Sequence, residues 1–458
     1  MKIAIVGWGV EGQSAFKYFG QDHEYLIVSE EPRKDFPPES EKIKIQFINS
    51  ERQAGLTGNV EDLSYLKGIE KCDKIIYAPV APKNLERLFP ADDPFWRKAV
   101  SIQHIFFETV KTKNIIGVTG TKGKGTASSL IYEMVKASGK NSYLGGNIGT
   151  PVLDFVKEVT PDDWVVLELS NFQLYKFPYS PHVSVCLMIV PEHLDWHKDF
   201  KEYVDTKANL FAHQTSLDLA IYFADNKYSS DLAARSPGRR IPYYQAPGAY
   251  VRADGKIVIA DTEVIDKQEI KLLGDHNLQN VCAAITAVWF GVTDIDDKTK
   301  LEAIRRVLRT FSGLEHRLEL VREVKGVRFI NDSFAATPDA AIGAIEAIPG
   351  NKVMIMGGYD RQLPLQHLAQ AVKENSNDIR KIILIGFSAE RLAKELEEQG
   401  FTNYRISKSS NMPEIVKLAQ AEAKSGDSVV LSPGFASFGI FKNFEHRGQE
   451  FKAAVNNL

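Results

Sequence analysis

Short apolar runs alternate along the chain with amphipathic stretches that repeat at helical spacing. The apolar runs are rich in β-branched residues, which is typical of strands in parallel sheets with helices between them. The alternation restarts with a new strand at three places, namely KIAIVG (2–7), NIIGVTG (114–120) and VRFIND (327–332). We therefore predict an α/β fold of three domains, with bounds at 1–108, 109–311 and 312–458.

One segment of the second stretch departs from this alternation. From about residue 215 to 270 the pattern is less regular, and YYQAPGAYVRADGKIVIADTEVI (243–265) contains closely spaced turn residues. The pattern predicts a small hairpin insertion there.

Composition narrows the classes of function that the chain can have. The 458 residues are 44% apolar and 25% charged with a formal net charge of -3, so no basic bias favours a nucleic-acid partner. Cys72, Cys186 and Cys282 form no C-x-x-C pair, which fits a reducing compartment without disulfides or zinc. No apolar run approaches the roughly 20 residues that span a bilayer. We expect a cytoplasmic, monomeric protein that binds small molecules and neither nucleic acid nor membrane.

The first strand runs directly into a glycine-rich turn. AIVGWGVEG places Gly7, Gly9 and Gly12 as G-x-G-x-x-G between a strand and a helix, which lets backbone amides approach a pyrophosphate. Glu30, at the end of LIVSE, has the spacing to accept hydrogen bonds from a ribose. A nicotinamide or flavin cofactor, a nucleotide-sugar diphosphate, and a tight turn that binds nothing all remain open.

The second stretch opens with GVTGTKGKGTASS (117–129), a glycine loop between a strand and a helix. Its backbone amides can cradle phosphates, and Lys124 can reach the terminal ones. The pattern G-x-x-x-x-G-K-[ST] fails at both ends, because Val118 and Gly125 occupy its first and last defined positions. A hydroxyl follows one residue late, at Thr126. The alternative is a flexible turn with an exposed lysine.

Three further residues predict a metal site beside this loop. Glu168 ends the run DWVVLE and His193 follows VSVCLMIVPE, so both are expected at the carboxyl edge of core strands. Lys207 falls on an apolar helical stripe that includes Tyr203 and Phe211. A buried ammonium is costly unless it is paired or chemically changed. Lys207 either extends to water or forms a carbamate with carbon dioxide, which would make it an anionic metal ligand.

Taken in order, the motifs resemble those of the Mur ligase family, and within it the branch that adds D-glutamate. The resemblance covers essentially the whole chain and rests on GWGVEG, GVTGTKGKGT, GGNIG, ELSNFQL, PEHLDWH, TKANLF, GDHNLQN, LEHRLE, INDSFAATPDA, GGYDR and LSPGFASFGIFKNFEHRGQEF. It implies Rossmann-like N- and C-terminal domains around a central P-loop ATPase-like domain with a mainly parallel sheet.

The implied function is an ATP-dependent ligase of peptidoglycan precursor synthesis. It would add D-glutamate to UDP-N-acetylmuramoyl-L-alanine through an acyl phosphate, with ATP, two Mg²⁺ ions and a lysine carbamylated by CO₂. By resemblance, the catalytic and metal-binding residues are Lys124, Thr126, Glu168, His193 and Lys207 as its carbamate. The implied ATP-binding residues are Gly120, Thr121, Lys122, Gly123, Lys124, Gly125, Thr126, Asn277, Asn280, Arg317 and Asp332. The implied substrate-binding residues are Gly9, Gly12, Glu30, Asn147, Ser170, Arg361, Ser437 and Phe444.

The chain departs from the family pattern at four places. Gly125 replaces the serine or threonine after the loop lysine, and residues 78–80 read APV in place of SPG. Asn171 replaces a serine of ELSSFQL, and Ala336 stands at a threonine position. The GKGT form resembles folylpolyglutamate synthases of the same superfamily, which lack a GWGVEG domain. A second alternative is a family member that binds nucleotide without catalysing ligation.

Overall fold

The computed structural model describes residues 1–48, 62–272, 274 and 276–458. Contacts divide the chain into two compact units. The first comprises Met1–Glu269 and Leu278–Arg309, and the second comprises Ile270–Asn277 and Thr310–Leu458. The predicted boundary at 311/312 lies two residues from the start of the second unit's main segment, while the predicted division at 108/109 falls inside the first unit and stays a prediction.

The N-terminal part of the first unit is a parallel sheet with strand order β3-β2-β1-β4-β5. Its strands are β1 (Lys2–Val6), β2 (Glu24–Ser29), β3 (Ile43–Phe47), β4 (Lys74–Tyr77) and β5 (Ala99–Val100). Its helices are α1 (Val10–Phe19), α2 (Pro82–Glu86) and α3 (Ile102–Thr109). The glycine fingerprint therefore lies between β1 and α1, as its sequence context predicts.

The central sheet of the first unit is also parallel, in the order β11-β10-β9-β6-β8-β7. Its strands are β6 (Ile115–Thr119), β7 (Ser142–Gly146), β8 (Trp164–Glu168), β9 (Val183–Cys186), β10 (Leu219–Phe223) and β11 (Arg239–Tyr243). Because β6 lies between β8 and β9, the carboxyl ends of these three buried strands form one edge. The phosphate loop and Glu168 both lie at that edge.

The predicted hairpin insertion is present as part of a three-stranded antiparallel sheet. Its strands are β12 (Tyr250–Val251), β13 (Lys256–Ile259) and β14 (Thr262–Asp266). The helices of the central region are α4 (Lys124–Ala137), α5 (Val152–Phe155), α6 (Asn171–Leu174), α7 (Phe200–Lys207), α8 (Asn209–Ala212), α9 (Lys227–Ala233), α10 (His276–Gly291) and α11 (Asp297–Thr310).

The second unit contains one sheet with the order β15-β16-β20-β17-β18-β19, in which only the β15–β16 pair is antiparallel. Its strands are β15 (Glu319–Val324), β16 (Val327–Asn331), β17 (Lys352–Gly357), β18 (Ile379–Ile385), β19 (Tyr404–Ile406) and β20 (Ser428–Leu431). Its helices are α12 (Pro338–Ala347), α13 (Gln366–Glu374), α14 (Ala389–Glu398), α15 (Met412–Glu422) and α16 (Phe444–Asn456). The predicted α/β class with parallel sheets is confirmed.

A membrane-spanning helix would need a long, apolar segment. Among the helices of the described residues, none is both long and apolar enough to cross a bilayer.

Candidate active site

The loop between β6 and α4 has a backbone that only glycine fits at two positions. Gly120 has φ +151° and Gly123 has φ +85°, which L side chains rarely adopt. A Cβ on Gly120 would lie 2.7 Å from Leu187 Cβ, and one on Gly123 would lie 2.1 Å from Asn280 Oδ1. The glycines therefore fix a tight loop at the start of α4 and place Asn280 of α10 against it. This arrangement fits a phosphate cradle.

Lys124 is the first residue of α4 and folds back over the loop. Its Nζ donates to the carbonyl oxygens of Gly120, at 3.1 Å, and Thr121, at 2.8 Å. The ammonium is therefore held on the loop, where the terminal phosphates of a nucleotide would lie.

Lys207 is fully buried, at 0% exposure, so its side chain does not extend to water. Its Nζ donates to the same Gly120 carbonyl oxygen at 3.0 Å and lies 4.7 Å from the centre of the Tyr203 ring. Burial, followed by the positive charge of Lys124, lowers the pKa of Lys207 to about 7. Among the described residues it has no ion-pair partner, and near neutral pH a much larger fraction of Lys207 is the uncharged amine than in an ordinary lysine.

Glu168 ends β8 with its carboxylate buried, at 3% exposure. Oε1 accepts a hydrogen bond from Asn147 Nδ2 at 2.9 Å, whereas buried Oε2 has no hydrogen-bond partner among the described residues. An unpartnered buried carboxylate oxygen is costly. The position therefore fits a cation ligand, and Asn147 orients the carboxylate by holding its other oxygen.

His193 lies on the turn after β9 with φ +55° and a side chain that is 40% exposed. Partial burial lowers its pKa, and the charges of Lys124 and Lys207 act in the same direction. The neutral imidazole is the form that binds metals. Its ring centre lies 6.5 Å from that of Tyr203, whose hydroxyl is hydrogen bonded to Thr121 Oγ1 at 2.8 Å. Tyr203 thus lies near both His193 and Lys207 and is hydrogen bonded to the phosphate loop.

A buried carboxylate that sequence reasoning missed joins two of the predicted substrate-binding elements. Glu11, in the first turn of α1, accepts hydrogen bonds on Oε1 from Gln103 Nε2 at 2.9 Å and Gln173 Nε2 at 2.8 Å. Gln173 also forms a capping box with Ser170 at the start of α6. Glu11 therefore ties the glycine fingerprint to the Ser170 turn. The signal in the sequence is an acidic residue inside G-x-G-x-x-G.

Glu11→Gln should stabilise the protein increasingly as the pH rises from about 4 to 8. Burial raises the pKa of Glu11 above its ordinary value, and its Oε2 is buried without a partner. The protonated form thus favours folding below the ordinary pKa, and this stability is lost as the pH rises through the folded pKa. Glutamine stays neutral throughout. Thermal melting of both proteins across this range checks the prediction, with the exposed Glu24→Gln as control; a constant difference would contradict it.

The remaining predicted residues of the first sheet fall near β1 and β2. A Cβ on Gly12 would lie 2.2 Å from the Gly7 carbonyl oxygen, so glycine allows the close approach of α1 to the turn, whereas a Cβ on Gly9 meets open space. Glu30 Oε1 accepts hydrogen bonds from Tyr65 at 3.4 Å and Asn84 at 3.3 Å. These contacts fix the carboxylate after β2.

In the second unit, the predicted ATP residues Arg317 and Asp332 are neighbours. Asp332 is buried after β16 and accepts hydrogen bonds from Ser432 Oγ at 2.7 Å and the Leu318 backbone N–H at 3.1 Å. Burial raises its pKa to about 7, against the opposing effect of these bonds and of the Arg317 and Arg447 charges.

The other two predicted ATP residues, Asn277 and Asn280, lie one turn apart on α10.

Arg361 borders an open pocket of about 170 Å³, solvent-filled space included. The pocket is lined by Ala336, Tyr359, Asp360, Arg361, Leu363, Gly434, Phe435 and Ala436. Ser437 follows this lining and is buried, while Phe444 begins α16. Arg391 donates two hydrogen bonds to the Asp360 carboxylate, from Nε at 2.6 Å and from Nη2 at 2.7 Å, and so offsets its negative charge. Arg361 is the cationic residue among those that line the pocket.

Three of the departures from the family pattern have defined surroundings. Asn171 Nδ2 is hydrogen bonded to His197 Nε2 at 2.7 Å, and burial lowers the pKa of this histidine to about 4. Ala336 leaves the Arg361 pocket without a hydroxyl at that position. Gly125 and Thr126 both lie in the first turn of α4, so the first hydroxyl residue after Lys124 is still in that turn.

Two parts of the chain match Mur ligase domains. Residues 118–288 match the Mur ligase middle domain, and residues 316–435 match the domain described as Mur ligase, glutamate ligase domain. The chain belongs to the Mur ligase family. It is 36% identical over 478 residues to the UDP-N-acetylmuramoylalanine--D-glutamate ligase of Ruminiclostridium cellulolyticum, covering 100% of this chain and 97% of that protein.

Solved structures share the fold at low sequence identity. The MurF ligase of Thermotoga maritima in complex with ADP has a TM-score of 0.57 and 16% identity, over 99% of this chain and 95% of that one. The E. coli FolC structure in complex with ADP has a TM-score of 0.54 and 17% identity, over 77% of this chain and 92% of that one. The multidomain Mur ligase fold is therefore confirmed.

Proposed function

We propose that the chain is an ATP-dependent ligase that joins D-glutamate to UDP-N-acetylmuramoyl-L-alanine. The observation that carries the proposal is the convergence of Lys124 and Lys207 on one carbonyl oxygen of the phosphate loop, that of Gly120. The Lys124 ammonium suits the negative charge of a triphosphate, and the lowered pKa of Lys207 favours the uncharged amine from which an anionic ligand can form. The full-length similarity to a protein named for this reaction supports the same conclusion.

Phosphoryl transfer is the first step of the proposed reaction. The substrate carboxylate attacks the γ-phosphorus of ATP, which gives an acyl phosphate and ADP. The loop amides and Lys124 lie at the start of α4, where they offset the negative charge of the transferring group. Asn277, Asn280, Arg317 and Asp332 are proposed to hold the rest of the nucleotide.

Amide formation is the second step. The amine of glutamate attacks the acyl carbonyl, inorganic phosphate leaves with the bonding electron pair, and the nitrogen loses a proton. Arg361 can bind a glutamate carboxylate through two parallel N–H donors. Its open pocket, with Ser437 and Phe444 close by in sequence, is the proposed glutamate site.

Lys207 is proposed to react with CO₂. The nitrogen of the uncharged amine forms a bond to the carbon of CO₂ and releases one proton, so a neutral amine becomes a carbamate anion. With Glu168, His193 and Thr126, this carbamate would hold Mg²⁺, in up to two ions, which supplies positive charge to the phosphates when bound. The partnerless Oε2 of Glu168 supports this assignment.

The nucleotide substrate is proposed to bind at the edge of the N-terminal sheet, with its uridine diphosphate on the glycine fingerprint. Gly9 and Gly12 allow backbone approach, Glu30 accepts from the ribose, and Asn147 and Ser170 hold the muramoyl part. Cytoplasmic location and a monomeric state complete the proposal.

Thr126→Ala should raise the Mg²⁺ concentration needed for half-maximal rate by about tenfold, because Gly125 carries no hydroxyl and Thr126 is the first hydroxyl residue after the loop lysine. Thr126→Ser should keep the dependence of the natural chain. The rate of ADP formation across a Mg²⁺ series measures both. An unchanged Mg²⁺ dependence in Thr126→Ala would show that the hydroxyl is not a ligand.

A substrate panel tests the proposal. ADP release is measured with UDP-N-acetylmuramoyl-L-alanine plus D- or L-glutamate, and with tetrahydrofolate plus L-glutamate. We expect turnover only with the muramoyl substrate and D-glutamate. Turnover only with folate would establish the folylpolyglutamate synthase alternative, which the N-terminal glycine-fingerprint sheet disfavours. ATP binding without any amide product, in saturating substrate and bicarbonate, would establish the non-catalytic alternative.

A further inference from the structure

Helix α2 belongs to the N-terminal part of the first unit, and one of its lysines is paired with the central region of that unit. Lys83 Nζ, on α2, donates to Glu202 Oε1, on α7, at 2.6 Å. The two side chains are 19% and 28% exposed, so water and salt screen this ion pair less than a pair on the open surface. The pair therefore joins α2 to α7 across 119 positions of the chain.

Two aromatic rings also lie near the Lys83 ammonium. Nζ is 4.8 Å from the centre of the Tyr175 ring and 5.4 Å from that of the Trp196 ring, which is within the range of cation–π attraction. Trp196 Nε1 donates to the Val80 carbonyl oxygen at 3.3 Å, in the turn that precedes α2. Because three side chains of the central region surround the cation, Lys83 has a defined position and is not a mobile surface lysine.

Glu202 extends this contact into the interior of the central region. Its Oε2 accepts hydrogen bonds from His197 Nδ1 at 3.2 Å and from the Lys198 backbone N–H at 2.9 Å. The other ring nitrogen of His197, Nε2, accepts from Asn171 Nδ2 at 2.7 Å, and the histidine side chain is fully buried, at 0% exposure. Both oxygens of the carboxylate therefore have partners, and Glu202 cannot rotate without breaking hydrogen bonds.

Helix α7 connects this carboxylate to the candidate metal site. Glu202 lies in the first turn of the helix and Lys207 in its last turn. Backbone hydrogen bonds join each turn of a helix to the next, so a helix of this length moves as one body. A shift at Glu202 would therefore move the Lys207 amine away from the Gly120 carbonyl oxygen, which it contacts at 3.0 Å.

We propose that Lys83 is a positioning residue that acts through Glu202 and α7 to hold the Lys207 amine at the phosphate loop. The inference rests on the proposed function for the carbamate on Lys207. In this account Lys83 touches neither substrate nor metal. Removal of its charge leaves Glu202 without its lysine partner, which frees α7 to shift, so the amine and its carbamate lose their fixed place.

Carbamate formation in Lys83 variants tests this role. The ¹³C NMR signal of a carbamate that is absent in Lys207→Ala is measured with the full chain, Mg²⁺ and a concentration series of ¹³C-bicarbonate. We expect Lys83→Met to raise the bicarbonate concentration for half occupancy about three- to tenfold, because methionine keeps most of the bulk and removes the cation. Lys83→Arg keeps a cation beside Glu202 and should stay within about twofold of the natural chain.

Lys176→Met is the matched control. Lys176 Nζ pairs with Glu86 Oε1 at 3.0 Å, and its side chain is 28% exposed, so this pair also joins α2 to the central region but involves no residue of α7. We expect it to lower the melting temperature about as much as Lys83→Met does. The bicarbonate concentration for half occupancy should stay unchanged. An equal rise in both variants would show a general effect on stability and overturn the proposal.

A double-mutant cycle shows whether Lys83 acts through Glu202. Glu202→Gln and the double variant Lys83→Met/Glu202→Gln are measured in the same way. In the Glu202→Gln background, Lys83→Met should raise the half-occupancy concentration by no more than about 1.5-fold further. Natural occupancy in Lys83→Met, or a full additional effect in the double variant, would contradict the proposed role.

The ligase reaction provides a second readout. At low bicarbonate, kcat of Lys83→Met should fall about three- to tenfold, and it should recover at high bicarbonate, because the carbamate then forms again. KM for D-glutamate should stay unchanged. A fall in kcat that bicarbonate does not reverse would show that Lys83 does not act through the carbamate.

Hydrogen exchange separates failure of this inference from failure of the proposed function. If the natural chain shows no carbamate signal, the proposed chemistry of Lys207 fails, and exchange of the backbone amides of α7 then decides the positioning role. These amides should exchange faster in Lys83→Met than in Lys176→Met. Equal exchange in the two variants would overturn the inference.

Discussion

Lys207→Ala should abolish nearly all ligase activity, with an expected fall in kcat for ADP formation of about 10²–10³-fold. The side chain is fully buried and lies between Tyr203 and the Gly120 carbonyl oxygen, so alanine removes both the lysine and any carbamate formed on it. Short carboxylic acids should restore part of the activity, because a carboxylate of similar size can enter the space left by the side chain and supply the missing anionic oxygens.

The control is Lys201→Ala on the same helix, α7. Lys201 has a side chain that is 84% exposed and pairs with Asp205 four residues later, so its removal should leave kcat unchanged. Initial rates are compared with and without added acetate or formate at constant ionic strength. Full activity in Lys207→Ala would refute the carbamate role. Loss of activity without rescue, together with a lower melting temperature, would show that Lys207 acts only on stability.

Lys124→Ala has the other large expected effect, a fall of about 10³-fold in kcat. The ammonium lies on the phosphate loop through the Gly120 and Thr121 carbonyl oxygens, and it is the cation best placed to reach a γ-phosphate. Carboxylic acids should not rescue this variant, because they supply negative charge where a positive charge is missing.

The opposite responses to carboxylates distinguish the two lysines. Lys136→Ala, on the exposed face of the same helix α4, is the matched control and should retain the natural rate. Rates are measured at saturating ATP, so that a change in nucleotide affinity does not hide the chemical step. Retention of more than about a tenth of kcat in Lys124→Ala would contradict its role in charge stabilisation.

The site at the carboxyl edge of the central sheet could be predicted, because it depends only on which residues end or follow the apolar runs of parallel strands. The phosphate loop and Glu168 directly follow or end apolar runs, and the carboxyl ends of neighbouring parallel strands meet. Lys207 was recognisable because a lysine on an apolar helical stripe contradicts the local pattern. In each case a polar residue stands out against the apolar pattern of its own strand or helix.

Pairings across long sequence distances could not be predicted. Glu11 contacts Gln103 and Gln173, which are 92 and 162 residues away, and neither glutamine stands out from its neighbours. The ion pair of Lys83 with Glu202 joins residues that are 119 positions apart. The pKa of Asp332 depends on burial, which the sequence of a loop does not reveal.

The central claim is that the chain activates the carboxylate of UDP-N-acetylmuramoyl-L-alanine as an acyl phosphate before D-glutamate attacks it. The most direct test supplies this substrate with oxygen-18 in its carboxylate, together with ATP, Mg²⁺ and D-glutamate, and analyses the released phosphate by mass spectrometry. We predict that each amide formed transfers one labelled oxygen to inorganic phosphate. Amide formation with unlabelled phosphate, or ATP hydrolysis without amide, would contradict the account.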